Sequence, residues 1–218
     1  MCRRYVSPDA ASIEREFKLP RSQWQFTENF NTAPAQTVPA VRGVNGKSEG
    51  VLLRWGFGKS GAFNAPIETL ATGARYGAPW KHGRRCIIPA LGFYQWHVAP
   101  DGGKQPFYVH VDDQDVFGFA GLWERSSTDA NAVTEWCAII TLPANPLMAE
   151  IDNAETRMPA ILRREQREPW LFGAVEDAGA ALAAYANERT IAYAVSRRVD
   201  APRNNDETLL EPLQTDVD

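Results

Sequence analysis

The chain has 218 residues, 44% hydrophobic and 23% charged, with 15 prolines and 16 glycines spread along its length; this is the composition of a folded globule and excludes a long low-complexity segment. A net charge of −4 excludes a generally basic, nucleic-acid-coating protein, although cations cluster locally at Lys81, Arg84 and Arg85, at Arg163, Arg164 and Arg167, and at Arg197, Arg198 and Arg203. Cysteines at 2, 86 and 137 lack the spacing of a zinc site or a disulfide framework, and no run approaches the ~18–20 apolar residues of a membrane span, so a reducing cytoplasm is expected, with no membrane, metal or cofactor.

Met1-Cys2-Arg3-Arg4-Tyr5 opens the chain, and loss of Met1 would leave Cys2 with a thiol and a free α-amine on one carbon skeleton. Such groups titrate near ~8.5 and ~7.7–8.0, so both are partly nucleophilic at neutral pH. A 1,2-aminothiol of this kind closes a ring on an aldehyde, or acts as a nucleophile carrying its own base. Residues 8–19 predict a short helix, with Ser7 as N-cap before Pro8. Pro34 and Pro39 forbid a helix interior and favour an extended path ending in a strand, and residues 51–57 read as another strand.

Further strands are expected at 106–111, 116–123 and 135–142, where apolar and polar residues alternate among β-branched and aromatic ones. A helix is expected over 143–151, an Ala-rich helix near 176–187 and a last strand at 191–199. Without repeats or glycine-rich linkers, the pattern predicts one α+β domain over residues 1–218. It should have a curved, mainly antiparallel, barrel-like sheet and peripheral helices.

Several short motifs recur in order: Asn31 to Pro34, Arg54-Trp55-Gly56, Asn64-Ala65 with Glu68-Thr69, Arg85 to Pro89, Gly92-Phe93-Tyr94 with Trp96, Ala120 to Glu124, and Arg157-Met158-Pro159. Together with Met-Cys-x-Arg-aromatic at the start, they resemble the SOS response-associated peptidase (SRAP) family of abasic-site processing proteins, from residue 2 to about residue 213. The resemblance implies a groove for single-stranded DNA and a cysteine that captures the ring-opened aldehyde of an abasic site as a thiazolidine crosslink. It also implies removal of the protein's own leader residue, a hydrolase activity within the SOS DNA-damage response, and abasic single-stranded DNA as partner. A monomer is expected.

Carried over residue by residue, the resemblance puts Cys2 at the nucleophile and Asn64 at the group that orients it, the alternative for Asn64 being a cap on the following segment. Trp55 falls on a residue that stacks on a base, or else is a core tryptophan beside Gly56. Arg4, Arg85 and Arg157 fall on phosphate-holding arginines, with burial beside a carboxylate as the alternative for Arg157. Two catalytic positions depart from the family: Gln95 stands for its Glu, and Glu155 for its His before Arg-Met-Pro. Arg3 replaces a Gly and would crowd Cys2, and Pro66 replaces an Arg. Glu155, partly buried, is expected to carry the acid–base work, because Gln95 cannot exchange a proton at neutral pH. A divergent single-strand binder with impaired crosslinking is the competing reading; a thiol hydrolase of another substrate would lack a recognisable Cys-His spacing.

Overall fold

The computed structural model describes residues 2–21, 24–58, 60–129 and 132–214; Met1, whose removal the chemistry of Cys2 would require, lies outside them. In chain order the first half runs β1 (Tyr5–Ser7), α1 (Ala10–Glu16), β2 (Asn29–Thr32), β3 (Thr37–Val44), β4 (Lys47–Trp55), β5 (Asn64–Pro66), α2 (Gly77–Lys81), β6 (Arg85–Ala90) and β7 (Gly92–Val98). The second half runs β8 (Lys104–Val111), β9 (Phe117–Asp129), β10 (Ala132–Pro143), α3 (Pro146–Ile151), β11 (Arg157–Pro159), β12 (Ile161–Leu162), α4 (Arg167–Phe172), α5 (Val175–Ala180) and β13 (Thr190–Ala194).

The strands form two sheets, one ordered β13-β8-β7-β1-β2 and the other β11-β10-β4-β3-β6-β9-β12, with β5 added alongside β10. Pairing is antiparallel except where β10 meets β4 and β5. The second sheet curls, because β9 pairs with both β6 and β10. It stops short of the barrel-like form read from the sequence: the β4–β10 contact that would close it spans only two residue pairs, Trp136 with Arg54 and Cys137 with Trp55. The α+β class and the curved, mainly antiparallel sheet agree with the pattern of alternation.

Alternation also decides which face of β7 looks where. Phe93 packs into the larger core with Tyr5 and Cys2, whereas Tyr94 and Trp96 pack into a smaller one with Val6 and Val199. Gln95 therefore shares the face of Phe93. Gly92 begins the strand because the Tyr108 ring leaves no room: an added Cβ would lie 2.3 Å from it. Gly56, after Trp55, has φ +133°, a backbone angle that favours glycine.

Two helices differ from expectation. Asp9, and not Ser7, caps α1, accepting from the Ser12 backbone at 2.9 Å; Ser7 is already the last residue of β1. The Ala-rich stretch is helical only to Ala180, because the chain beyond it is pinned by Tyr185, whose hydroxyl donates to Asp113 at 2.8 Å. Helix propensity yields there to a tertiary anchor.

Cys2, Cys86 and Cys137 are all fully buried. Burial pushes the Cys2 thiol up to about 12 and raises the other two thiols as well. In the unfolded chain thiols ionise near ~8.5. The stability gained from folding them neutral is therefore whole below that pH and is lost as pH rises toward the folded values, by up to ~1.4 kcal/mol per thiol per pH unit. Raising the pH from about 8 to about 10 is expected to lower the urea midpoint, with Cys137→Ala flattening the trend; a midpoint that does not move would contradict this.

Candidate functional site

Cys2 is held through its backbone carbonyl. The Asn64 side-chain amide, at the start of β5, donates to the Cys2 carbonyl at 2.9 Å. Asn64 is 8% exposed, and its own carbonyl accepts from the Tyr76 hydroxyl at 2.8 Å. Its Oδ1 is buried without a hydrogen-bond partner among the described residues. A buried acceptor left unmade costs about 1–3 kcal/mol. No side-chain cap is seen on the short helical turn that follows at Ile67–Thr69.

Trp55 is fully buried, so the base-stacking role is not open to it in this conformation, and its alternative as a core residue holds. Its indole N–H donates to the Phe63 carbonyl at 2.9 Å, and its ring packs edge-on against Tyr5 at 5.3 Å. Phe63 precedes Asn64 and Tyr5 closes the N-terminal motif. Trp55 thus braces the two segments that carry Asn64 and Cys2.

The expected proton-handling residues fall differently. Gln95 is 1% exposed, and its amide donates to Asp152 Oδ2 at 2.8 Å. Asp152 is 5% exposed and also accepts from the Arg157 backbone at 3.4 Å. Glu155 is exposed, contrary to the partly buried position expected of it. Asp152 caps the C-terminal end of α3, residues 153–156 turn out toward solvent, and Thr156 at φ 51° brings the chain back into β11. The buried carboxylate on the Gln95 side is therefore three residues earlier than the motif suggested. Its signal was available: the 152–156 stretch contains two acids, and only the helix end decides which one turns inward.

The arginines sort into structural and open ones. Arg85 is 4% exposed; its Nε donates to the Trp170 carbonyl at 2.5 Å and its Nη2 to the Gly173 carbonyl, which ties β6 to the end of α4. It is a clamp inside the fold and not a phosphate contact. Arg157 makes a bidentate pair with Glu68, both contacts 3.0 Å, and donates to the Thr141 carbonyl at 2.8 Å. The alternative of a carboxylate partner holds, and Arg157 holds the Glu68 carboxyl below its ordinary range. Arg4 is half-buried, with its Nη1 on the Arg3 carbonyl at 2.9 Å. Arg3 leaves the thiol side free: its guanidinium lies over the Trp96 ring at 4.8 Å, on the face that Cys2 and Gln95 do not share.

No group of three or more metal-ligating side chains occurs among the described residues, and no helix among them is long and apolar enough to cross a membrane. The family model for SOS response associated peptidase (SRAP) matches residues 1–202. The chain is 31% identical to abasic site processing protein YoqW of Bacillus subtilis, across 97% of this chain and 99% of the relative. It is 25% identical to abasic site processing protein HMCES of Gallus gallus, across 94% and 73%. A crystal structure of a Bacteroides thetaiotaomicron protein superposes with a TM-score of 0.87 at 23% identity, covering 98% of this chain and all of the other, which extends the agreement to the fold. On these matches, the chain belongs to the SOS response associated peptidase (SRAP) family.

Proposed function

We propose that this protein processes abasic sites in single-stranded DNA by forming a covalent crosslink through Cys2. The observation that carries the reading is the pairing of Cys2 with Asn64, whose amide N–H holds the Cys2 carbonyl while its buried Oδ1 has no hydrogen-bond partner among the described residues. An amine or hydroxyl arriving beside it gains that hydrogen bond at no cost in ordering the protein. The names of the two relatives, both abasic site processing proteins, support the choice of substrate.

The chemistry balances without a redox partner. Hydrolysis of the Met1–Cys2 bond, a leader-peptidase step, would free the α-amine. That amine condenses with the ring-opened aldehyde of the abasic sugar, giving an imine and water. The Cys2 sulfur then adds to the imine carbon and its proton passes to nitrogen, which closes the thiazolidine. Water elimination and ring closure each need a proton donor and an acceptor in turn. Asp152, a carboxylate held on the Cys2 face of β7 by Gln95, is assigned to that transfer. Asn64 positions the cysteine, and Trp55 and Tyr5 hold both segments in place.

Processed protein incubated with an abasic oligonucleotide should give a band that survives denaturation, and with an intact oligonucleotide it should not. Reversible binding to both strands without that band would favour the competing reading of a single-strand binder that has lost crosslinking, in which Gln95 and Asp152 cannot complete the transfer.

A further inference from the structure

On the face of β7 turned away from Cys2 and Gln95, the chain gathers cations that the chemistry above does not use. The Arg3 guanidinium lies over Trp96, and the Trp96 indole N–H donates to Asp200 Oδ1 at 2.8 Å. Arg197 approaches the other Asp200 oxygen at 3.6 Å. With Arg4 and Lys104, these residues line a cavity of ≈ 240 Å³. Four cations therefore share one carboxylate, in a protein whose net charge is −4.

Both Asp200 oxygens are already engaged, by Trp96 and by Arg197. Among the described residues no carboxylate is within ion-pair distance of Arg3, Arg4 or Lys104. Arg4 Nε is buried with no hydrogen-bond partner among the described residues. Like charges held together in a hollow raise the energy of the empty site, and an anion that enters relieves the repulsion while meeting the unmade donors. Trp96 is only 7% exposed, with Arg3 across its ring, so the hollow offers guanidinium forks and not a stacking face. Such forks match the oxygens of a phosphate bidentately.

We infer that this hollow is a phosphate site, in which Arg3, Arg4, Lys104 and Arg197 hold a backbone phosphate of the strand whose sugar reacts at Cys2. The inference rests on the single-strand reading above and adds to it where the strand is gripped. Arg3 follows Cys2 directly in the chain while its guanidinium lies over Trp96 on the other face of β7, so the phosphate assigned to the hollow is one flanking the reacting sugar. No base is read there, so the grip is indifferent to sequence.

Binding is measured with a strand carrying tetrahydrofuran at the abasic position, which has no aldehyde, so the result does not depend on crosslinking. Arg3→Gly and Arg197→Ala, both at exposed positions, should each weaken binding about five- to tenfold and reduce the salt dependence. Replacing the flanking phosphate by a neutral methylphosphonate should weaken wild-type binding similarly and leave little further loss in either variant. A strand ending in a phosphate at that position separates a preference for terminal monoesters from one for internal diesters. If both variants bind like wild type, or lose the same factor on methylphosphonate and native strands, the site is overturned even where adduct forms on abasic DNA. If binding depends on Arg3 and Arg197 but no adduct forms, the phosphate site stands and the crosslinking reading falls.

Discussion

Cys2→Ala is expected to abolish covalent capture of abasic DNA while leaving reversible single-strand affinity within a few fold. Alanine keeps the backbone carbonyl that Asn64 holds at 2.9 Å, so the local path of the chain survives. It also keeps the α-amine, so an imine can still form, but without sulfur that imine cannot close and reverts in water. Losing the fully buried side chain removes little packing, since only the sulfur is deleted. The measurement is a denaturing gel with heat treatment, alongside binding to an intact strand. A heat-stable adduct persisting in Cys2→Ala would remove the thiol from the mechanism. A parallel test uses chain that retains Met1: its thiol, held neutral by burial and raised to about 12, should alkylate far more slowly at neutral pH than an ordinary cysteine.

Asp152→Asn is the second large effect expected. The substitution is close in shape, and an amide oxygen can still accept from Gln95, so the fold should be retained. What it removes is the capacity to exchange a proton, and losing a positioned acid–base group slows a reaction by about 10²–10⁴. The rate of adduct formation should fall by that order, while reversible binding to an intact strand stays within a few fold. Glu155→Gln, changing an exposed side chain at the turn, should move the rate by no more than about twofold. The reverse ranking, with Glu155→Gln the slower variant, would return the role to Glu155 and exclude Asp152. Gln95→Glu is informative in another way: it would set two carboxyl groups about 2.8 Å apart, where they cannot both ionise, and share one proton between them.

The sequence by itself determined the class of the fold and marked Cys2 as the candidate nucleophile. Strands at 106–111, 116–123 and 135–142 followed from alternation, a property of single segments that survives into β8, β9 and β10. Cys2 was legible as a candidate because the chemistry proposed for it depends on its place next to Met1 and not on its neighbours. What a polar side chain does once folded was not legible, because the partner that decides it comes from far along the chain. Arg85 meets carbonyls 85 and 88 residues away, and Arg157 meets Glu68 across 89 residues, so a motif arginine becomes a clamp in one case and an ion pair in the other. Trp55 and Gln95 are likewise decided by burial, which no local pattern fixes for a tryptophan or an amide. The resemblance put the acid at Glu155, yet the end of α3 and the turn at Thr156 send Glu155 outward and Asp152 inward. Only the tertiary structure holds that choice, because it depends on where a helix stops against β7, and Gln95 on that strand supplies the hydrogen bond that makes burying the inward carboxylate affordable.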